Sequence, residues 1–170
     1  MSIVYNVRII IPHALTKRDH ETPSLIRMSC LFNSLGQLLG YSGNQIRSTL
    51  VDYMQSNLNK MYQGMSIQDW IKWQEGGPEN ASVVDYLNSM RYASTWGGAM
   101  ELAMAAQCYR MDIVVVKPTS YFNLNRSNGD VVAEFLWRDA TTARRRIFLE
   151  WTGNHYEPLR SLDLLHLSPK

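Results

Sequence analysis

The apolar residues of this chain change their period once, and that change limits the folds open to it. From Cys30 to Tyr109 they recur three and four positions apart, the spacing of helical faces. Beyond that point they gather in short runs, Ile113–Val116, Glu134–Trp137, Arg146–Trp151 and His155–Leu159, which read as strands. Helices first and strands later, with no internal repeat, predict an α+β domain. A length of 170 residues suits one domain, 1–170, with a sizeable core.

Local signals divide the chain further. Val4 to Ile11 alternates and then runs apolar, so a strand ended by Pro12 is expected, with a polar loop from Thr16 to Ser24. Ser29 fits an N-cap, which puts Cys30 at the first helical position, Leu31, Leu35 and Leu38 on one face, and Gly40 at the stop. A second helix carries Ile46, Leu50, Tyr53, Met54, Leu58 and Met61. Ser66 with Asp69 opens a short helix bearing Trp70, Ile71 and Trp73, broken by Gly76-Gly77-Pro78. Ser82 with Asp85 opens another through Val83, Val84 and Leu87. Gly97-Gly98 then precede an alanine- and methionine-rich helix from Ala99 to about Tyr109. Polar stretches, Asn123–Gly129 and Asp139–Arg145, join the strands.

Composition excludes several classes. A net charge of +2 with 19% charged residues argues for neither nucleic acid nor an anionic membrane as partner. The longest apolar runs are strand-sized, far short of a membrane span. Arg8 interrupts the first apolar stretch and no small-residue cleavage site follows, so no signal peptide is read and the cytoplasm is expected. Cys30 and Cys108 could form one disulfide, but free thiols in a reducing compartment are expected, and the sequons at Asn80 and Asn125 carry little weight. Without a CxxC pair, no metal is expected, nor any cofactor; the chain is expected to be a monomer.

The chemistry-bearing pair is Cys30 with His155. A thiolate is the nucleophile that attacks a carbonyl carbon, and a helix start offers it partial positive charge and N–H groups. A distant histidine can take the thiol proton and hand it to a leaving amine. Spacing alone makes this a weak signal, since a cysteine at a helix start usually serves as a small buried hydrophobe.

Three blocks carry a resemblance that strengthens it. They are Cys30-Leu31-Phe32-Asn33-Ser34-Leu35, the stretch Trp96-Gly97-Gly98-Ala99-Met100-Glu101-Leu102, and Ile147-Phe148-Leu149-Glu150-Trp151 leading to Asn154-His155-Tyr156-Glu157-Pro158-Leu159. In order and spacing they resemble the ovarian-tumour (OTU) cysteine proteases, which are deubiquitinases, across roughly Leu25 to Leu159. The resemblance implies a papain-like α+β fold, a central, mostly antiparallel sheet flanked by helices, as one protease domain with its core at about 25–160. It implies hydrolysis of the isopeptide bond at the ubiquitin C-terminus, with ubiquitin conjugates, and a ubiquitin-like modifier besides, as substrates. Cys30 would be the nucleophile and His155 its base. Glu157 would orient the imidazole, because residues i and i+2 of a strand share a face; Asn154 is the rival. The backbone of Cys30 and of the loop Arg27-Met28-Ser29 would form the oxyanion hole. Trp96, Gly97 and Gly98, with Trp151 and Tyr156, would wall a narrow channel for a Gly-Gly tail.

One departure stands out: Arg27-Met28 occupy the positions where family members commonly carry Asp-Gly. If that backbone needs positive φ, Met28 is strained there, and Arg27 would favour the thiolate. The departure suggests a viral or otherwise divergent member, acting in the cytoplasm, that of the host if viral. Two other readings stay open: a viral polyprotein-processing protease with secondary deubiquitinase activity, and a catalytically silent ubiquitin-binding module. Elsewhere the plain readings hold. Cys108 reads as core, Glu101 as a helix-stabilising charge, Trp70 and Trp73 as core and rim packing, and Arg144-Arg145-Arg146 as a solvated turn. His13, His20 and His166 read as solvated or structural.

Overall fold

The computed structural model describes residues 28–75, 82–118, 131–137 and 145–159. The expected strand at Val4–Ile11, the loop Thr16–Ser24, the Gly76–Pro78 break and the turn Asn123–Gly129 lie outside these residues, as do Arg27 and Arg144.

Five helices are described. α1 spans Cys30–Leu39 and ends at Gly40; α2 spans Gly43–Ser56. α3 (Ile67–Gln74) and α4 (Val83–Met90) start as their sequences predict. Ser66 Oγ accepts the Asp69 N–H at 3.2 Å and Ser82 Oγ the Asp85 N–H at 3.1 Å, so each serine satisfies a donor the first turn leaves unpaired. α5 spans Ala99–Cys108, so Cys108 is its last residue, half-buried against the core.

Two expectations shift. Met61 does not extend α2: the helix ends at Ser56, and Met61, 63% exposed, begins a hairpin of β1 (Met61–Tyr62) and β2 (Met65–Ser66). Gln63 at φ 52° and Gly64 at φ 88° make the two-residue turn whose twist suits a hairpin. The strand expected at Glu134–Trp137 lies earlier, as β4 at Val131–Phe135. Leu136 and Trp137 bond to side chains instead of a ladder: Leu136 C=O accepts from Gln107 at 3.1 Å and Trp137 N–H donates to Asp112 at 3.0 Å.

β3 (Asp112–Val116), β4, β5 (Arg146–Trp151) and β6 (Tyr156–Leu159) form one sheet in the order β4-β3-β5-β6. The outer pairings are antiparallel and the central β3–β5 pair is parallel, so the sheet is mixed. All five residues of β3 are buried, which requires cover on both faces of the sheet. α5 packs on β3 and β4, and α1 packs on α2 and on β6. Leu31, Phe32 and Leu35 of α1 are at most 1% exposed, so the helix that begins with Cys30 is embedded in the core. The architecture is α+β, with α1 and the β5–β6 hairpin fixed against each other.

Candidate active site

Helix α1 and strand β6 meet through two hydrogen bonds to one residue. Tyr156 N–H donates to Cys30 Sγ at 3.4 Å, and Tyr156 C=O accepts from Ser34 Oγ at 2.9 Å. Cys30 and Ser34 lie one helical turn apart, so they present neighbouring groups to the strand. The Tyr156 ring stacks on Trp151 with centroids 4.4 Å apart, and the two residues are register partners closing the β5–β6 hairpin. The turn between them, Thr152–His155, closes when Thr152 N–H donates to His155 C=O at 3.1 Å.

His155 is the last residue of that turn and does not belong to β6. Since Tyr156 N is bonded to Sγ, covalent geometry keeps the His155 Cα within about 6 Å of the sulfur. Its Nε2 lies 3.6 Å from Glu157 Oε1, an ion-pair separation and longer than a hydrogen bond. Asn154 is exposed, and its side chain accepts from Thr152 Oγ1 at 3.3 Å.

Cys30 itself is only 3% exposed. Burial pushes its thiol above the ordinary 9.0, while the N–H groups of Tyr156, Leu31 and Cys30 pull the other way. Burial and the surrounding N–H donors thus oppose each other at this sulfur, with burial the larger effect. Among the described residues, no cluster of three His, Cys, Asp or Glu could hold a metal.

The loop before the nucleophile departs from expectation. Ser29 occupies the N-cap position, but its side chain makes no capping bond. Its hydroxyl donates instead to Ala93 C=O at 3.0 Å and accepts from Arg47 Nη2 at 3.1 Å.

Trp96, Gly97, Gly98, Trp151 and Tyr156 all line a single groove of about 430 Å³, joined by Trp70, Trp73 and Tyr62. Cys30 and His155 are not among its lining residues; Cys30 Sγ is linked to the groove through its bond from the N–H of Tyr156, which lines it. Gly97 lacks a side chain for a reason the sequence does not reveal. A Cβ there would sit 2.7 Å from the Phe32 ring and 2.8 Å from Leu31, inside α1. Gly98, by contrast, has open space around it. Glu101 stabilises its helix, as expected: its carboxylate accepts the Gly98 N–H at 2.7 Å in a capping arrangement, and the Tyr86 hydroxyl donates to it. Arg47, a buried cation of α2, was not singled out by its sequence, because a charge beside an apolar helical stripe normally faces water.

A thiol at a helix start, a histidine on the facing hairpin and a carboxylate 3.6 Å from its ring are the kinds of group a cysteine-protease site uses. The chain belongs to the OTU-like cysteine protease family, whose model matches residues 29–156. The match thus starts one residue before Cys30 and ends one after His155. The fold is similar to the OTU domain of OTUD1, at 17% identity and a TM-score of 0.54, covering 83% of each chain. It is also similar to the viral OTU domain protease of Dera Ghazi Khan virus, at 19% identity and a TM-score of 0.51, covering 84% of this chain and 80% of that one. An ovarian tumour (OTU) domain solved in complex with ubiquitin shares 20% identity with a TM-score of 0.53, over 80% of this chain and 66% of that one. No curated protein sequence matches the chain.

Proposed function

We propose that this protein is a deubiquitinase that hydrolyses the isopeptide bond between the ubiquitin C-terminus and a lysine, with Cys30 as nucleophile and His155 as base. The observation that supports the reading is the Tyr156 N–H bond to Cys30 Sγ, since His155 is the next residue along the chain from that N–H. Family membership supplies the reaction class. As the sulfur attacks the ubiquitin carbonyl carbon, its proton passes to His155 Nδ1, and the carbonyl oxygen takes the negative charge. Backbone N–H groups at the start of α1, Cys30 among them, stabilise that oxygen; one such donor typically contributes about 10²–10³ in rate. The imidazolium then protonates the departing lysine amine, leaving a thioester that a water, deprotonated by His155, hydrolyses. Glu157 is the group assigned to hold the ring and offset its charge, since its carboxylate is at Nε2 and the Asn154 side chain is engaged with Thr152.

The groove lined by Trp96, Gly97 and Gly98 suits a tail with no side chains at its last positions. We assign the enzyme to the divergent, virus-like side of the family on the strength of Arg27-Met28. The 3% exposure of Cys30 favours one second reading, a catalytically silent module that binds ubiquitin. Turnover of a fluorogenic ubiquitin amide separates the two. Hydrolysis lost in Cys30→Ala supports the enzyme, and ubiquitin binding with no hydrolysis supports the module.

A further inference from the structure

Arg47 is 2% exposed and contributes nothing to the reaction steps above. Its Nη1 donates to Met90 C=O at 2.9 Å, and its Nη2 donates to Ser29 Oγ at 3.1 Å and to Thr95 C=O at 3.0 Å. The guanidinium lies 3.8 Å from the centre of the Phe32 ring. One side chain therefore ties together the residue preceding Cys30, the end of α4, and the last residue before Trp96. Ser29 reinforces the tie through Ala93 C=O, at 3.0 Å. A planar fork of donors can meet acceptors in several directions at once, which an ammonium on a flexible stem cannot do.

The opposite charge holds the other end of the same segment. Glu101 is wholly buried and accepts from Gly98 N–H at 2.7 Å. Burial raises its carboxyl above the ordinary range, and Arg47 is among the groups that lower it again. Burial likewise lowers Arg47, and Glu101 raises it. Thr95 and Gly98, which bracket Trp96 and Gly97, are thus anchored by a buried cation and a buried carboxylate that feel each other. Net stability is a poor reason for such a pair, because apolar residues of the same volume often serve as well or better. Arg47 Nε–H finds no acceptor among the described residues, a further cost.

We infer that Arg47 and Glu101 are positioning residues that hold the Trp96–Gly98 wall at a fixed distance from Cys30. The inference rests on Cys30 and the wall forming the active site. Arg47→Lys tests it, because the charge opposite Glu101 remains while the three-way tie is lost. The expected result is a folded protein in which amide hydrogen exchange across 91–98 speeds up and kcat on a fluorogenic ubiquitin amide falls by about tenfold or more, as misplacement of a reacting group does. KM and the rate of Cys30 alkylation by iodoacetamide stay within about a factor of three, since the helix and its thiol are not displaced. If Arg47→Lys does not fold, Ser29→Ala removes one arm of the tie, and a smaller fall in kcat with faster exchange in the same segment is expected. Unchanged exchange across 91–98 overturns the inference, as does a loss of turnover matched by an equal loss of alkylation. A wild-type protein without turnover instead overturns the proposed function, and the exchange measurement alone then decides this inference.

Discussion

At the scale of single residues, the site is set by the contest between burial and hydrogen bonding at one sulfur. Burial raises the Cys30 thiol above 9.0, so the thiolate fraction near neutrality is smaller than for an ordinary cysteine. Because the raised group is an acid, its reactive form grows only as pH rises. Alkylation of free Cys30 by iodoacetamide should climb by about tenfold per pH unit through neutrality and on past pH 9. A rate already flat between pH 6 and 8 would mean a resting thiolate–imidazolium pair instead. The carboxylate assignment is separable by turnover. Glu157→Ala should lower kcat by about 10- to 100-fold, a share of the roughly 10²–10⁴ that a positioned base supplies, while Asn154→Ala stays within about twofold. Equal, negligible losses would leave Cys30 and His155 as a dyad. The nearness of Glu157 to His155 was legible from their spacing, although the basis shifted: His155 ends a turn, and the two side chains still come within 3.6 Å. Arg47 was not legible, because its acceptors, Met90 at the end of α4 and Thr95 in the segment after it, leave no mark at position 47.

At the scale of elements, the site depends on how closely three pieces approach: α1, the β5–β6 hairpin and the segment leading into α5. Gly97 sets the closest of these approaches, against Phe32 and Leu31. Gly97→Ala should therefore cost about 1–3 kcal/mol, the usual range for overpacking, and lower the midpoint of thermal unfolding by several degrees. Turnover should fall with it, since the wall moves away from α1; an unchanged melting curve would contradict the close contact. The helix starts at Ser66 and Ser82 were readable because each serine bonds a backbone N–H within its own turn. The β1–β2 hairpin was missed although Gln63-Gly64 marks it, because Met61 also fits the helical period of α2. β4 was misplaced because Leu136 and Trp137 look like strand residues while their backbone bonds to Gln107 and Asp112.

At the scale of the whole molecule, the change of period after Tyr109 foretold an α+β domain, and three short blocks foretold where its parts converge. What the pattern could not carry was depth. Cys30 reads as accessible chemistry at a helix start, yet it is 3% exposed and is not among the residues lining the groove. Depth emerges only when α1 is pressed against β6, through partners more than a hundred residues away in the chain. Under the proposed function, the buried thiol becomes reactive when a ubiquitin tail occupies the groove lined by Tyr156. The direct measurement is mass spectrometry after incubation with ubiquitin bearing a C-terminal electrophile. The account predicts one covalent adduct at Cys30, formed faster than with a free electrophile of the same type, and absent from Cys30→Ala and His155→Ala. Ubiquitin bound without any adduct, or an adduct at Cys108, would contradict it.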